Sequence, residues 1–155
     1  DIPFYGQLSV SLSHSEYTAA NGKSYEGPFD QSFIFNLSGG YIFNERWEVS
    51  GKFRYFSGIP YTPVYRPFEN PTGTYAIQNL PEEYLSARLD PGHHIDLRVD
   101  RYFNFKSWTL IAFLDIQNIY NYQLPQTPRY DFWNREIINF SQIGILPSIG
   151  FSIEY

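Results

Sequence analysis

Apolar and polar residues alternate with a period of two in six segments of the chain, and helical stripes are hard to find. In the first segment Phe4, Leu8, Val10 and Leu12 stand against Gln7, Ser9, Ser11 and Ser13. The second sets Phe33, Phe35, Leu37, Gly39, Tyr41 and Phe43 against Asn36, Ser38 and Gly40, with Ile34 and Ile42 interrupting the polar side. The third opposes Trp47, Val49, Gly51, Phe53 and Tyr55 to Glu48, Ser50, Lys52 and Arg54. In the fourth, Ile95, Leu97, Val99 and Phe103 alternate with His94, Asp96, Arg98 and Asp100, and Arg101 is the one charge on the apolar side. The fifth places Trp108, Leu110, Ala112, Leu114 and Ile116 opposite Thr109, Asp115 and Gln117, although Ile111 and Phe113 spoil its polar side. The last sets Ile149, Phe151, Ile153 and Tyr155 against Ser148, Gly150, Ser152 and Glu154. Side chains of a strand alternate between faces, so the pattern predicts six antiparallel strands of about ten residues, greasy on one side and wet on the other.

The joints between these strands are lopsided. Asn44-Glu45-Arg46 and Asn104 to Ser107 are tight turns, whereas long stretches rich in Pro, Gly, Asn and Tyr join strands one and two, three and four, and five and six. Short and long joints therefore alternate strictly. In an up-and-down meander all tight turns fall at one end and all long loops at the other, the asymmetry of outer-membrane barrels. Rings mark both ends. Phe4, Phe43, Trp47, Phe103, Trp108 and Tyr155 lie by the tight turns, while Phe33, Tyr55 and Tyr120, with Tyr17 and Tyr61 just beyond, lie by the long loops. A membrane interface selects amphipathic rings at such fixed heights.

Composition narrows the field. Aromatic residues make up 20% of the chain, and a soluble antiparallel sheet with one buried face, the plain alternative, would have to hide about a dozen of them. Eleven Lys and Arg against sixteen Asp and Glu leave a net charge of −5 with no basic block, so there is no electrostatic footprint for nucleic acid. Cys is absent, which excludes disulfides, thiol catalysis and Cys-ligated metals. No run is long enough for a spanning helix or a secretory core, yet the chain begins at Asp1 without an initiator Met, as expected of a processed product or a piece. Six strands are also too few to close a barrel of the usual eight or more, and in lipid an open edge leaves unpaired backbone groups costing several kcal/mol each. The remaining strands are expected to come from elsewhere.

Four stretches taken together, Ser57-Gly58-Ile59-Pro60-Tyr61-Thr62-Pro63, the run His94 to Phe103, Leu114-Asp115-Ile116-Gln117-Asn118-Ile119-Tyr120-Asn121 and the run Leu146 to Tyr155, resemble the C-terminal barrel of TonB-dependent outer-membrane receptors. The similarity spans roughly Leu37 to Tyr155, and it lies in the order, spacing and terminal position of motifs that are individually weak. The resemblance implies an all-β, up-and-down transmembrane barrel of about 22 strands with a plugged lumen, of which residues 1–155 supply about six C-terminal strands. It further implies energy-coupled import of a scarce solute such as a metal chelate, an oligosaccharide or a peptide. The implied partners are the plug and other barrel strands of the same receptor, the TonB energy-coupling complex through an N-terminal part, the barrel-assembly machinery and outer-membrane lipid. The C-terminus would be periplasmic and the long loops extracellular. No cofactor is implied. A passive porin or adhesin barrel and a soluble sheet-based binding module stand as the competing readings.

Candidate sites follow from face and position. Glu48, Lys52, Arg54, Asp96, Arg98, Asp100 and Asp115 are expected to face the lumen, where opposite charges on neighbouring strands pair across the ladder, grip a plug or simply form a solvated wall. Gly150, Phe151, Ile153 and Tyr155 look like an assembly signal, since an edge strand with alternating apolar residues and a terminal ring can pair with an insertase by strand addition. Tyr65, Arg66, Tyr75, Tyr84, Tyr130, Trp133 and Arg135 of the long loops are candidate solute contacts, because rings stack on sugars or chelates and Arg binds carboxylate or phosphate; loop rings equally pack on one another. His93, His94 and Asp96 are not expected to bind metal, since the two imidazoles point to opposite faces of a strand and no third ligand lies near. No nucleophile motif accompanies His14, and no catalytic residue is expected.

Overall fold

The computed structural model describes residues 2–64, 68–69, 75–76 and 83–155. Six strands form one antiparallel sheet: β1 (Phe4–Leu12), β2 (Phe33–Asn44), β3 (Trp47–Phe56), β4 (Gly92–Asn104), β5 (Thr109–Gln117) and β6 (Leu146–Glu154). Their order in the sheet follows the chain, so every strand pairs with its sequence neighbours and β1 and β6 occupy the two edges. Among the described residues no ladder joins those edges, and the sheet is open. No α-helix occurs among these residues, and none is long and apolar enough to cross a membrane, which says nothing of strands.

The ladder registers make one face of the sheet continuous. Phe4, Tyr41, Val49, Val99, Leu114 and Ile149 stand opposite one another in a row across all six strands, and Leu8, Leu37, Phe53 and Ile95 form a second row. Tyr5, Gly40, Ser50, Arg98, Asp115 and Ser148 form the corresponding row on the other face. A slip of one residue in any ladder would send that strand's apolar set to the polar side. The one irregularity, a bulge between Ile42 and Asn44 beside the first tight turn, leaves the Phe43 ring packed edge-on against Tyr41 at 4.8 Å.

Among the described residues nothing covers the apolar face. Leu8, Leu37, Ile149 and Phe151 are all exposed, the last two at 76% and 71%, and the buried Ile111 lies on the polar side. The sheet therefore has no hydrophobic core of its own against which that face is packed. Arg101, the charge on this face, lies with its guanidinium over the Trp47 ring at 4.6 Å and the Phe103 ring at 5.3 Å, so the cation is held by ring faces at the tight-turn end.

The long connections, 13–32, 57–91 and 118–145, all leave from the same end of the sheet and carry short ladders of their own that period-two reading did not resolve. Glu16–Thr18 pairs with Ser24–Glu26 in the first. In the second, Pro60–Tyr61 pairs with Ala87–Arg88 and Phe68–Glu69 with Tyr75–Ala76. In the third, Arg129–Asp131 pairs with Glu136–Ile138, below which a bridge joins Pro125 to Ser141. The tight turns close the opposite end: the Asn44 amide oxygen accepts the Arg46 N–H at 2.9 Å, and the Phe105 N–H donates to the Trp108 carbonyl at 2.9 Å beneath stacked rings.

Candidate functional site

Polar side chains on the polar face of the sheet are tied into a network rather than left as independent charges. Lys52 and Asp96, directly opposite in the β3–β4 ladder, come within 3.7 Å, the cross-strand pair expected from alternating charge. Arg98 reaches along its own strand to Asp100, with contacts of 2.7 to 3.1 Å, and lays its guanidinium over the Phe113 ring at 4.0 Å. Phe113 in turn lies flat over Gly150, where a Cβ would meet the ring at 2.3 Å. Glu48 accepts hydrogen bonds from the hydroxyls of Tyr5 and, at 2.8 Å, Tyr102, so it links β1 to β4 across the width of β2 and β3. Arg54 rests over Phe56 at 5.2 Å, and its Nε is buried without a partner among the described residues. Asp115 faces Arg98 in the β4–β5 register.

Of the seven residues expected on this face, Lys52, Asp96, Arg98 and Asp115 border a trough of about 430 Å³ that stretches from Tyr5 on β1 to Gln117 on β5. At the long-loop end this trough runs into a second hollow of about 490 Å³ under the third connection, with His94, Asp96 and Gln117 lining both. Asn118 builds that hollow's rim. Its backbone is left-handed, φ 51°, a conformation Asn tolerates; its N–H donates to Asp96 at 2.9 Å, and its amide exchanges two hydrogen bonds with the Tyr122 backbone. Sequence reading passed over this residue, although the Asn118-Ile119-Tyr120-Asn121 spacing is a turn signal.

His93 and His94 point to opposite faces, as strand geometry requires. His93 bonds the Tyr120 hydroxyl at 2.6 Å and stacks on Tyr122, while His94 lies 3.6 Å from Asp96. Among the described residues no group of three or more His, Asp or Glu gathers to hold a metal.

The first and second connections are joined by Arg88, a residue that sequence reading did not single out. Its guanidinium donates to the carbonyls of Asp30 and Gly58 at 3.0 and 2.7 Å and to the carboxylates of Glu26 and Asp30 at 2.6 and 3.0 Å. Asp30 is 3% exposed, and its other oxygen accepts the Ser15 N–H at 2.7 Å. The Arg88 guanidinium, and after it the Ser15 N–H, hold the Asp30 carboxyl below its ordinary range. A depressed carboxyl contributes stability above the ordinary carboxylate range of about 4 and loses it only as the pH falls through the lowered value. We expect amide-exchange protection at Ser15 to survive acidification to about pH 4 and then to disappear. In Arg88→Gln the loss should move to higher pH, and an unchanged midpoint would mean that Arg88 does not govern this junction. Gly58 permits the arrangement, because a Cβ there would stand 1.8 Å from the Leu89 carbonyl oxygen.

The loop residues proposed for solute contact do not converge. Tyr65 and Arg66 lie outside the described residues, and Tyr75 belongs to the ladder with Phe68–Glu69. Tyr84 packs edge-on against Tyr25 at 5.3 Å, and Tyr25 meets Tyr17 at 5.9 Å. A hydrogen bond with Tyr84 pushes the Tyr17 phenol up to about 12, so these rings serve to dock the first connection on the second. Tyr130 meets Phe132 edge-on at 5.2 Å, whereas Trp133 projects from the tip of the third ribbon 92% exposed, beside Arg135 in a left-handed conformation. The tip is set by Asp131, whose carboxylate accepts the Trp133 N–H and the Asn134 amide and is thereby held below its ordinary range. At the other end of the sheet Phe151 and Ile153 lie on the apolar face of the β6 edge and Tyr155 follows the strand fully exposed, while Gly150 serves the polar face as the seat of Phe113. Comparison with protein-family models, with curated proteins and with solved structures found no match for the chain.

Proposed function

We propose that these residues are the last six strands of a larger transmembrane barrel, of about 22 strands, in a TonB-dependent outer-membrane receptor that imports a scarce solute by energy-coupled transport. One observation carries the reading: the apolar face of the six-stranded sheet is continuous, ringed at both ends by aromatic residues and uncovered, while the charged residues other than Arg101 line the opposite face. In water such a face must be buried against another layer; in lipid it is the surface the bilayer requires. The open edges at β1 and β6 then call for further strands of the same barrel, since unpaired backbone is expensive in hydrocarbon. The polar face would line the lumen against a plug, the long connections would face outward, and the tight turns and Tyr155 would lie in the periplasm. The energy-coupling complex and the assembly machinery enter as partners by resemblance alone. The reading contains no catalytic step and no cofactor.

The test is fractionation and uptake with the complete receptor. It should leave the outer membrane only with detergent, and solute uptake should stop when the inner membrane is de-energised. Uptake that persists without energy would favour a passive porin. The 155-residue chain expressed alone should fail to give a stable monomeric barrel and should be rescued by coexpression of the missing portion. A heat-modifiable, protease-resistant band from the fragment by itself would refute the fragment reading, and a monodisperse detergent-free product would refute the membrane reading.

A further inference from the structure

The hollow of about 490 Å³ under the third connection has a lining that selects for one kind of chemistry. Besides Asn118, three glutamine carboxamides border it: Gln117 from the end of β5, and Gln126 and Gln142 from the two arms of the third connection, which are held side by side by backbone bonds from the Gln126 N–H to the Phe140 carbonyl and from the Gln142 N–H to the Leu124 carbonyl. Among the described residues none of these three side-chain amides has a hydrogen-bond partner, in contrast with Asn118, Asn121 and Gln123 beside them, which are spent on holding the loop. Each free carboxamide offers both donors and an acceptor.

Charge and shape restrict what these amides can hold. No Lys or Arg lines the hollow, and its two imidazoles are already engaged, His93 with the Tyr120 hydroxyl and His94 beside Asp96, so a phosphate, a polycarboxylate or an anionic chelate would find no guanidinium or ammonium to hold it. Its one carboxylate, Asp96, already faces Lys52 at 3.7 Å and accepts the Asn118 N–H, leaving little for a cationic ligand. A peptide bound by strand addition needs an unpaired ladder, yet β4 and β5 are each paired on both sides. Apolar surface is supplied by Leu124, Ile143 and Tyr122, against which the C–H face of a ring could lie.

We propose that this hollow is a subsite for a neutral polyhydroxylated ligand, a carbohydrate, whose hydroxyls are matched by the side-chain amides of Gln117, Gln126 and Gln142. The assignment rests on the receptor reading in one respect, that the polar face is the interior and the third connection faces outward. It names residues distinct from the exposed loop rings that sequence reading singled out.

Calorimetric titration of the complete receptor in detergent with maltohexaose, cellohexaose and mannohexaose, alongside a hexa-alanine peptide and ferric citrate, tests it. At least one of the neutral hexasaccharides should bind, and the Gln126→Leu, Gln142→Leu double variant should bind it about tenfold more weakly, the effect of losing two hydrogen bonds. Gln117→Leu, on a paired strand, should weaken it on its own and stands in for the double variant should that one lose its heat-modifiable band. Ser9→Ala, on the same face but remote, should change nothing. No hexasaccharide binding, binding indifferent to the Gln variants, or Gln-dependent binding of the peptide or ferric citrate instead would each overturn the assignment. Uptake without need of an energised membrane but with sugar binding intact would sink the import reading and leave the subsite standing.

Discussion

Replacing Leu97 or Leu114 with Arg in the complete receptor is expected to cost about 2 to 4 kcal/mol of folding stability in lipid, the penalty for a cation near the bilayer midplane. Both residues sit mid-strand on the apolar face, 37% and 40% exposed, and neither stands directly opposite a ring or carboxylate, as Arg101 stands opposite Trp47. Leu97 stands opposite Gly51 and Ile116, and Leu114 opposite Val99 and Ile149, so an introduced guanidinium would meet only hydrocarbon. Arg at Ser50 or Thr109 of the polar face should cost far less. Folding titrations between detergent and lipid vesicles measure the difference, and equal costs on the two faces would mean that the inside and the outside have been exchanged. Arg101→Leu provides a further contrast, since in the proposed barrel its charge, at the tight-turn end, would sit at the interface height, where the penalty falls to about 0–1 kcal/mol and little stability can be regained.

Strands were legible in the sequence because their determinant is local. Six runs of alternating side chains need no tertiary information to be seen, and the ladders pair them in chain order with the apolar set on one face throughout. Even the apparent errors in the pattern have local reasons. Arg101 interrupts the apolar side where Trp47 and Phe103 can cover it, and Phe113 interrupts the polar side where Arg98 lies above it and Gly150 leaves room beneath. Wall residues were legible for the same cause, since Lys52 and Asp96 needed only the correct face and register to meet. The loop end was not, because contacts there join residues far apart in the chain. Arg88 meets Asp30 across 58 positions, and nothing in the neighbourhood of either residue marks the other. Loop rings were chosen for their chemistry alone, and no local signal showed that Tyr84 packs edge-on against Tyr25 of the first connection. Unspent carboxamides were overlooked for the converse reason: Gln carries no distinctive signal until its neighbours are seen to be committed and it is not.

Deleting Tyr155 should lower the amount of receptor in the outer membrane severalfold while leaving uptake per surviving molecule unchanged, and Phe151→Ala should act in the same direction. Phe151 lies on the apolar face of β6, an edge strand paired only with β5, and is 71% exposed; Tyr155 follows the strand directly and is fully exposed. An unpaired strand edge with rings on alternate positions can be recognised by addition to another strand, the backbone giving affinity and the side chains selectivity. In the proposed receptor such recognition would occur before the barrel closes, so its failure would reduce the number of molecules that insert and have no effect on those that do. Neither ring touches the polar face, where the Glu48 and Asp100 contacts and the trough beyond them remain as they were, and both lie at the opposite end from the third connection. Gly150 separates the two effects. Gly150→Ala places a methyl group where the Phe113 ring now lies and should disturb the Arg98 stack, so its consequences should appear in the stability of the folded wall, with no preference for the assembly step. Surface quantity measured by labelling of extracellular lysines, set against solute uptake in the same cells, distinguishes the outcomes. Normal abundance with lost uptake on deletion of Tyr155 would place the terminal ring in the transport mechanism and remove it from assembly.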